Sequence, residues 1–391
     1  MSAPPSREQA VACSNSTRSG FAGVGPGSPP AHYAIYALTR PGAELAGRLA
    51  RGLSRSGGAD LYLPRRLEKD YAGQAAYFER VSEALAGNFQ LYRGHLFVGA
   101  VGLAVRIVAP LLKSKKDDPA VVVLTQDGRF AVSLLSGHLG GANDLAREAA
   151  RLTGGQAVVS TATDVGGLPA LEVLARDHQL EIEDFSRLAA VSRCLVDGER
   201  VPLYDPGHWL WPHLQAWAGR FELQPDPPEP GRGPHLRVDY HLGAEGDPEA
   251  LIFRPRVIAL GLGCHRGLER RELEELIGDS LAEASLALKS VAVLASVASR
   301  GREPALLELS RLMGRPLITY SKEELGRIET PNPSGKVLER IGVASVCEAA
   351  AMLAARTDRL LISKRKSPSA TLAAALFDWK SSGSVQAGST A

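Results

Sequence analysis

A chain of 391 residues has room for two or three domains. Its 45 Lys and Arg against 43 Asp and Glu leave a formal charge of +2, which gives no support to nucleic-acid or membrane binding driven by bulk charge. Apolar residues at 45%, charged residues at 23%, 40 glycines and 25 prolines describe a soluble globular protein with many tight turns, not a disordered one.

Residues 1–31 are rich in Ser, Gly and Pro, lack the apolar core of a secretory signal, and read as a disordered tail. The longest apolar stretch, Leu96 to Leu112, is broken by Arg106 and falls short of the ~20 residues that a membrane span needs. Cys13, Cys194, Cys264 and Cys347 form no CxxC pair, so free thiols in a reducing compartment are expected. These features predict a cytoplasmic protein.

Order begins at the short strand Tyr33-Ala-Ile-Tyr-Ala-Leu, and Pro41 opens a helix through Leu45, Leu49 and Leu53. Leu61-Tyr-Leu reads as a strand. Tyr77, Phe78, Val81 and Leu85 predict a helix over 71–85. A buried strand starts at Leu96, followed by a helix over 102–112 and the β-branched strand Val121-Val-Val-Leu. Asp127-Gly128 is a hairpin-type turn to a return strand, Phe130 to Leu135. A helix over 139–152 and strand Ala157-Val-Val follow. Strands alternating with helices imply a three-layer α/β domain with much parallel sheet, over residues 32–183.

Residues 184–254 differ. They hold Trp209, Trp211 and Trp217 and the run Pro225-Asp-Pro-Pro-Glu-Pro-Gly-Arg-Gly-Pro234. Prolines that cannot donate backbone hydrogen bonds favour extended connections. This segment is therefore read as a variable middle region and linker. A second α/β domain, 255–378, carries strands near 257–260, 290–295, 316–319 and 360–362. Its helices fall near 269–286, 304–313 and 346–355. Residues 379–391 read as a polar tail.

Four segments could carry chemistry. Ser136-Gly-His-Leu-Gly-Gly-Ala-Asn-Asp144 lies at a strand-to-helix junction. Glycines there allow close backbone approach, and a helix start favours an anion. His138 in such a place can move a proton near neutral pH. Equally, Ser136 can cap the helix and His138 fill the turn. Gly261-Leu-Gly-Cys-His-Arg-Gly267 resembles a dinucleotide fingerprint with its third glycine one residue late, so an anion-binding turn and a structural turn both remain open. The basic runs Lys113-Ser-Lys-Lys116 and Lys364-Arg-Lys366 suit either solvent or a localised anionic ligand. In Thr161-Ala-Thr-Asp164-Val-Gly-Gly167, Asp164 is either a catalytic carboxylate or a turn former. The nine histidines form no HxxxH or HExxH, so no protein-bound catalytic metal is expected.

The whole-chain pattern resembles the CbiG family of cobalamin biosynthesis, the cobalt-precorrin-5A hydrolases. The resemblance runs through Gly99-Ala-Val-Gly102, Arg106, Ala109-Pro-Leu-Leu-Lys-Ser-Lys115, Asp118-Pro-Ala-Val-Val-Val, Leu134-Leu-Ser-Gly-His-Leu-Gly-Gly-Ala-Asn143 and Thr161-Ala-Thr-Asp164. It continues through Gly261-Leu-Gly-Cys264, Arg266-Gly267, Pro333-Ser334, Gly342-Val343, Glu348-Ala-Ala350, Lys364, Lys366-Ser367 and Thr371. One departure follows Ala295-Ser296: the family usually shows Ile-Asp and then Lys, whereas this chain has Val297-Ala-Ser-Arg300.

The resemblance implies two α/β domains and a defined reaction. Water opens the δ-lactone of a ring-contracted cobalt tetrapyrrole, and the released alcohol fragments to acetaldehyde and cobalt-precorrin-5B. His138 is then the expected general base and Asp164 its orienting partner, with the amides of Gly137 to Ala142 as oxyanion donors. Arg106, Lys113, Lys115, Arg266, Lys364 and Lys366 are expected to pair with substrate carboxylates. Ser136, Gly137, Gly140, Gly141, Asn143, Gly263, Cys264 and Glu348 complete the expected substrate-binding set. Cobalt arrives inside the substrate, so no separate cofactor is expected. The candidate partners are that tetrapyrrole and neighbouring enzymes of the pathway, with no nucleic acid and no membrane. A non-catalytic tetrapyrrole carrier is the alternative, and a nucleotide-dependent oxidoreductase using the Gly261 turn is a weaker one.

Overall fold

The computed structural model describes residues 32–114, 117–243, 246–333 and 343–377. Both expected tails lie outside the described residues, as do Lys115, Lys116, Ser334 and Gly342. The chain divides into two compact units, Met1–Thr161 and Ala162–Ala391.

The first unit contains one sheet of seven strands: β1 (Tyr33–Ala37), β2 (Ala59–Pro64), β3 (Ala76–Phe78), β4 (Gly94–Val98), β5 (Ala120–Leu124), β6 (Phe130–Leu135) and β7 (Gln156–Val158). Their order is β3-β2-β1-β4-β5-β6-β7. Every pairing is parallel except β5 with β6. The chain turns outward in both directions from β1 and β4, so their carboxyl ends form a topological switch point. Helices α1 (Arg40–Gly52), α2 (Val81–Asn88), α3 (Val101–Val108) and α4 (Ala142–Thr153) cover both faces. Side-chain alternation decides which core each strand residue joins. Ile35, Leu96 and Val122 pack with Leu45 and Leu49 of α1 and Leu145 and Ala146 of α4. Their neighbours Tyr36, Phe97, Val121 and Val123 pack with Leu85 of α2 and Ala104 and Val108 of α3.

The expected helix over 71–85 is a strand followed by a helix. Apolar residues at 77, 78, 81 and 85 satisfy a helical period, but Leu63 pairs with Tyr77 and Pro64 with Phe78 in the sheet. Sheet pairing and burial of Phe78 override the local pattern. The helix expected to reach 112 ends at Val108 and continues as a 3-10 turn over Ala109–Leu111. Pro110 lacks the N–H that a continued α-helix needs.

In the second unit, short helices α5 (Ala162–Val165), α6 (Leu171–Asp177) and α7 (Leu188–Val196) accompany a five-stranded sheet. Its strands are β8 (Leu180–Ile182), β9 (Val201–Tyr204), β10 (Phe221–Gln224), β11 (His235–Val238) and β12 (Ala250–Pro255), in the order β10-β9-β11-β12-β8. The middle region read as a linker is thus a folded layer, and Pro225 to Pro234 connects two of its strands, β10 and β11. Trp209 and Leu210 are buried, with their amides and that of Trp211 donating to the buried carboxylate of Asp205.

The third sheet joins β13 (Ile258–Cys264), β14 (Val291–Val297), β15 (Leu317–Tyr320), β16 (Leu360–Lys366) and β17 (Ala370–Leu376), in the order β15-β14-β13-β17-β16. It is covered by α8 (Arg270–Glu283), α9 (Pro304–Met313), α10 (Lys322–Gly326) and α11 (Val346–Ala355). The β17 strand was not expected. Its sequence, Ala-Thr-Leu-Ala-Ala-Ala-Leu, carries little β propensity, yet it pairs antiparallel with both β13 and β16. One core runs from Leu251 and Phe253 to Leu260, Leu262 and Leu294, uniting the two sheets of this unit. Ion pairs reinforce that union: Glu181 accepts from Arg315 at 2.6 Å, and Glu183 meets Arg254 at 2.8 Å and Lys289 at 3.0 Å. Among the described residues no helix is long and apolar enough to cross a membrane.

His95 of β4 is fully buried between the Phe89 and Tyr36 rings, with Nε2 3.1 Å from the Phe89 carbonyl. Burial pushes its imidazole down from 6.5 to about 4. The unfolded chain therefore binds this proton first, so stability should fall as pH drops from about 6.5 toward 4, by up to about 3 kcal/mol. Urea unfolding at pH 7 and pH 4.5 should show His95→Leu losing less stability than the parent across that interval. Equal losses in both proteins would contradict the assignment.

Candidate active site

β6 runs against β5, so its last residue, Leu135, lies level with Val121 at the start of β5. The loop that follows therefore sits at the amino-terminal edge of β4 and β5, opposite the switch point. Ser136 adopts a left-handed φ of 57°, and Gly141 a φ of 83° that glycine alone adopts easily. The carbonyls of Ser136, Gly137 and His138 accept from the amides of Ala142, Asn143 and Gly141, at 3.1, 3.0 and 2.9 Å. Those three amides are taken up inside the loop. The oxyanion donors expected across Gly137 to Ala142 narrow accordingly, and the amides of Gly137 and Gly140 donate to no backbone carbonyl among the described residues.

Asn143 is the loop's buried anchor. Its Oδ1 accepts from Ser133 Oγ at 2.7 Å, and its Nδ2 donates to Thr161 Oγ1 at 3.2 Å. A Cβ on Gly137 would lie 2.7 Å from that Oδ1, and one on Gly140 would lie 2.4 Å from Ser136 Cβ. These glycines are thus required by packing within the loop, whatever approaches from outside. His138 is half-buried at the loop's centre.

The same sheet edge carries the start of the basic run. The Lys113 amide donates to both carboxylate oxygens of Asp118, at 3.0 and 3.1 Å, which folds the turn and leaves the Lys113 side chain exposed. Arg106 is exposed on α3. Arg93, which the sequence did not single out, reaches within 4.0 Å of where a Cβ on Gly141 would sit. Asp164 belongs to α5 of the second unit, half-buried, with its carbonyl accepting from the Gly167 amide at 3.2 Å. Lys115 lies outside the described residues.

At the switch point, a cavity of about 390 Å³ opens between the carboxyl ends of β1, β4 and β5. Its walls are apolar, with Phe97, Val98, Leu103 and Ile107 among them, and Thr39, Thr125 and Gln126 are its polar groups. Sequence reading missed it, because nothing in a single sequence marks where a sheet reverses its winding.

In the second unit, the Gly261 turn is explained by packing. A Cβ on Gly261 would lie 1.8 Å from the Cys347 carbonyl of α11, so glycine permits helix and strand to touch. Gly263 is held against Thr371, whose Oγ1 donates to its carbonyl at 3.4 Å. The turn's carbonyl at Cys264 accepts from Arg300 Nε at 2.8 Å, and the Gly267 amide donates to Glu303 at 3.0 Å. Arg300 stands where the chain departs from the family pattern. Burial pushes the Cys264 thiol up to about 11, which removes it as a nucleophile near neutral pH. Arg266 is exposed.

Glu348 is fully buried in α11. Its carboxylate accepts from Asn332 Nδ2 at 2.8 Å, the Asn332 amide at 3.2 Å and the Lys364 amide at 3.1 Å. Burial opposes its ionisation, and these donors outweigh burial, so the group stays below the usual carboxylate range. Lys364 Nζ donates back to the Asn332 carbonyl at 3.0 Å. The side chains of Glu348 and Lys364 therefore meet through Asn332, and Glu348 positions the chain around it. The pairing of β17 sets Lys366 in one row with Thr371 and Gly263.

The Cobalamin synthesis G N-terminal family matches residues 83–164, the Cobalamin biosynthesis central region 169–255, and the Cobalamin synthesis G C-terminus 258–375. A cobalt-precorrin-5A hydrolase of Priestia megaterium is 32% identical over 359 residues, covering 89% of this chain and 95% of that one. A cobalt-precorrin-5A hydrolase of Salmonella typhimurium is 32% identical over 333 residues, covering 83% and 92%. The solved structure of CobE, a protein from the cobalamin biosynthetic pathway, covers 32% of this chain and 92% of that one at 31% identity, with a TM-score of 0.30.

Asn143→Leu removes the hydrogen bonds to Ser133 and Thr161 while roughly keeping volume. It should lower stability by about 1–3 kcal/mol, the penalty for leaving buried polar partners unmade. Denaturant unfolding with an unchanged midpoint would show that the anchor is dispensable.

Proposed function

The chain belongs to the CbiG family of cobalamin biosynthesis, and we propose that it opens the δ-lactone of cobalt-precorrin-5A and releases acetaldehyde to give cobalt-precorrin-5B. What supports the reading is the match along nearly the whole length of proteins named for that activity. Lactone hydrolysis needs a base for water and donors for the developing oxyanion. His138 takes the water proton as the oxygen attacks the lactone acyl carbon, and the amides of Gly137 and Gly140 receive the oxyanion. The acyl carbon–oxygen bond breaks, and the departing alkoxide regains a proton from His138. In the second step the same alcohol is deprotonated, the bond to the extruded carbon breaks, and its electron pair passes into the conjugated macrocycle as acetaldehyde leaves. Asp164 is the alternative base.

Arg106, Lys113, Lys115, Arg266, Lys364 and Lys366 are the proposed partners of the substrate's acetate and propionate groups. Cobalt belongs to the substrate, and the reaction draws on no resident cofactor. We place the reaction in the cytoplasm, with neighbouring enzymes of the pathway as candidate partners.

Incubation with cobalt-precorrin-5A should release acetaldehyde. His138→Ala and His138→Asn should stay folded and lose roughly 10²–10⁴ in kcat, the usual share of general acid–base catalysis. Binding of the intermediate without acetaldehyde release by the parent protein would identify a carrier instead. Near-parent turnover in a folded His138 variant would transfer the base to Asp164. Replacing Lys113, Lys115 and Lys116 together by Gln should raise KM, with the effect shrinking as salt screens the charges. An unchanged KM at low ionic strength would return the loop to solvent.

A further inference from the structure

Helix α3 has an apolar surface that no part of the described chain covers. Of its eight residues, Ala104 and Val108 are buried and Ile107 is partly covered. The remaining arc consists of Val101, Gly102, Leu103, Val105 and Arg106. Val101, Leu103 and Val105 are 39%, 38% and 45% exposed, and Leu112 just beyond is 41% exposed. Four of the thirteen large apolar side chains exposed among the described residues thus fall within twelve positions. A helix apolar on both faces is ordinarily covered on both, and such a concentration on a surface marks a binding site.

The chemistry of the arc narrows what covers it. Gly102 leaves it open: no atom lies within 4 Å of where its Cβ would be. Arg106 is its one charged group and has no ion-pair partner among the described residues, and Lys113 follows at the helix's far end. Leu103 also lines the switch-point cavity, so the face continues into an apolar recess. An open apolar surface with unpaired cations at its margin complements an apolar ring system bearing carboxylates at its periphery.

We propose that the outer face of α3 is the platform for the substrate's macrocycle, with the ring against Val101, Gly102 and Val105 and a carboxylate arm on Arg106. The proposal rests on the function proposed above and names where its substrate lies. From there the helix leads to the edge of β4 and β5 that carries the His138 loop.

Gly102→Glu separates binding from folding. Glutamate in the first turn of a helix favours the fold, through propensity and the helix dipole, yet it places bulk and negative charge on the platform. The full-length variant should unfold at the parent temperature or above it. It should show at least tenfold higher KM for cobalt-precorrin-5A and at least tenfold weaker binding of uroporphyrin I, an octacarboxylate macrocycle used as probe. Val105→Glu should act alike, and Leu312→Glu on α9 should leave both values at the parent level. Parent-like KM and probe binding in both α3 variants would overturn the platform while acetaldehyde release still upheld the hydrolase. A change in oligomeric state with unchanged KM would assign the face to another copy of the chain and overturn it equally. Probe binding lost in the α3 variants, with no acetaldehyde formed by the parent, would keep the platform and reject the hydrolase.

Discussion

A single reversal of chain direction governs the geometry of the first unit. At Asp127-Gly128 the chain turns back, so that β6 runs against β5. Asp127 stabilises the turn by accepting from Thr125 Oγ1 at 2.6 Å and from Arg129 Nε at 2.6 Å, which holds its carboxyl down at about 2. Gly128 supplies the left-handed φ of 72°. Had β6 continued parallel, the His138 loop would have emerged beside the switch point, where ligands of doubly wound sheets usually bind. The reversal sends the loop to the opposite edge, beside the Lys113 turn. It leaves α3 as the element that runs between the cavity at one edge and the loop at the other.

Both glycine-rich turns show how easily packing mimics ligand binding. Gly261 exists so that α11 can rest on β13, and Gly137 and Gly140 exist so that the loop can fold on Asn143 and Ser136. Among the groups that packing leaves to meet a substrate are exposed cations such as Arg106, Lys113 and Arg266. Glu348 illustrates the converse. Its hydrogen bonds to Asn332 and to the Lys364 amide occupy the carboxylate in holding the chain together.

Much of this was legible in the sequence. Alternating β-branched runs and amphipathic stretches revealed the α/β class, and the hairpin turn at Asp127-Gly128 was read correctly. The His138 loop was placed at its strand-to-helix junction. What escaped depends on tertiary pairing. Tyr77 and Phe78 satisfy a helical period until β2 offers a partner. An Ala-rich β17 has no local strand signal, yet it becomes a central strand because small side chains suit a strand lying under α11. The tryptophans of the middle region looked like part of a linker, although Trp209 belongs to a core. The exposure of α3 was invisible for a different reason: Leu96 to Leu112 reads as one apolar stretch broken by Arg106, and no sequence pattern reveals that one side of such a helix lacks cover.

The central claim is that this chain adds water to a lactone acyl carbon. Turnover of cobalt-precorrin-5A in ¹⁸O-labelled water, with mass analysis of the macrocyclic product, tests it most directly. Attack at the acyl carbon predicts one heavy oxygen in the carboxylate generated from the lactone for each acetaldehyde released. A product that lacks the heavy oxygen while acetaldehyde still forms would contradict attack of water at the acyl carbon.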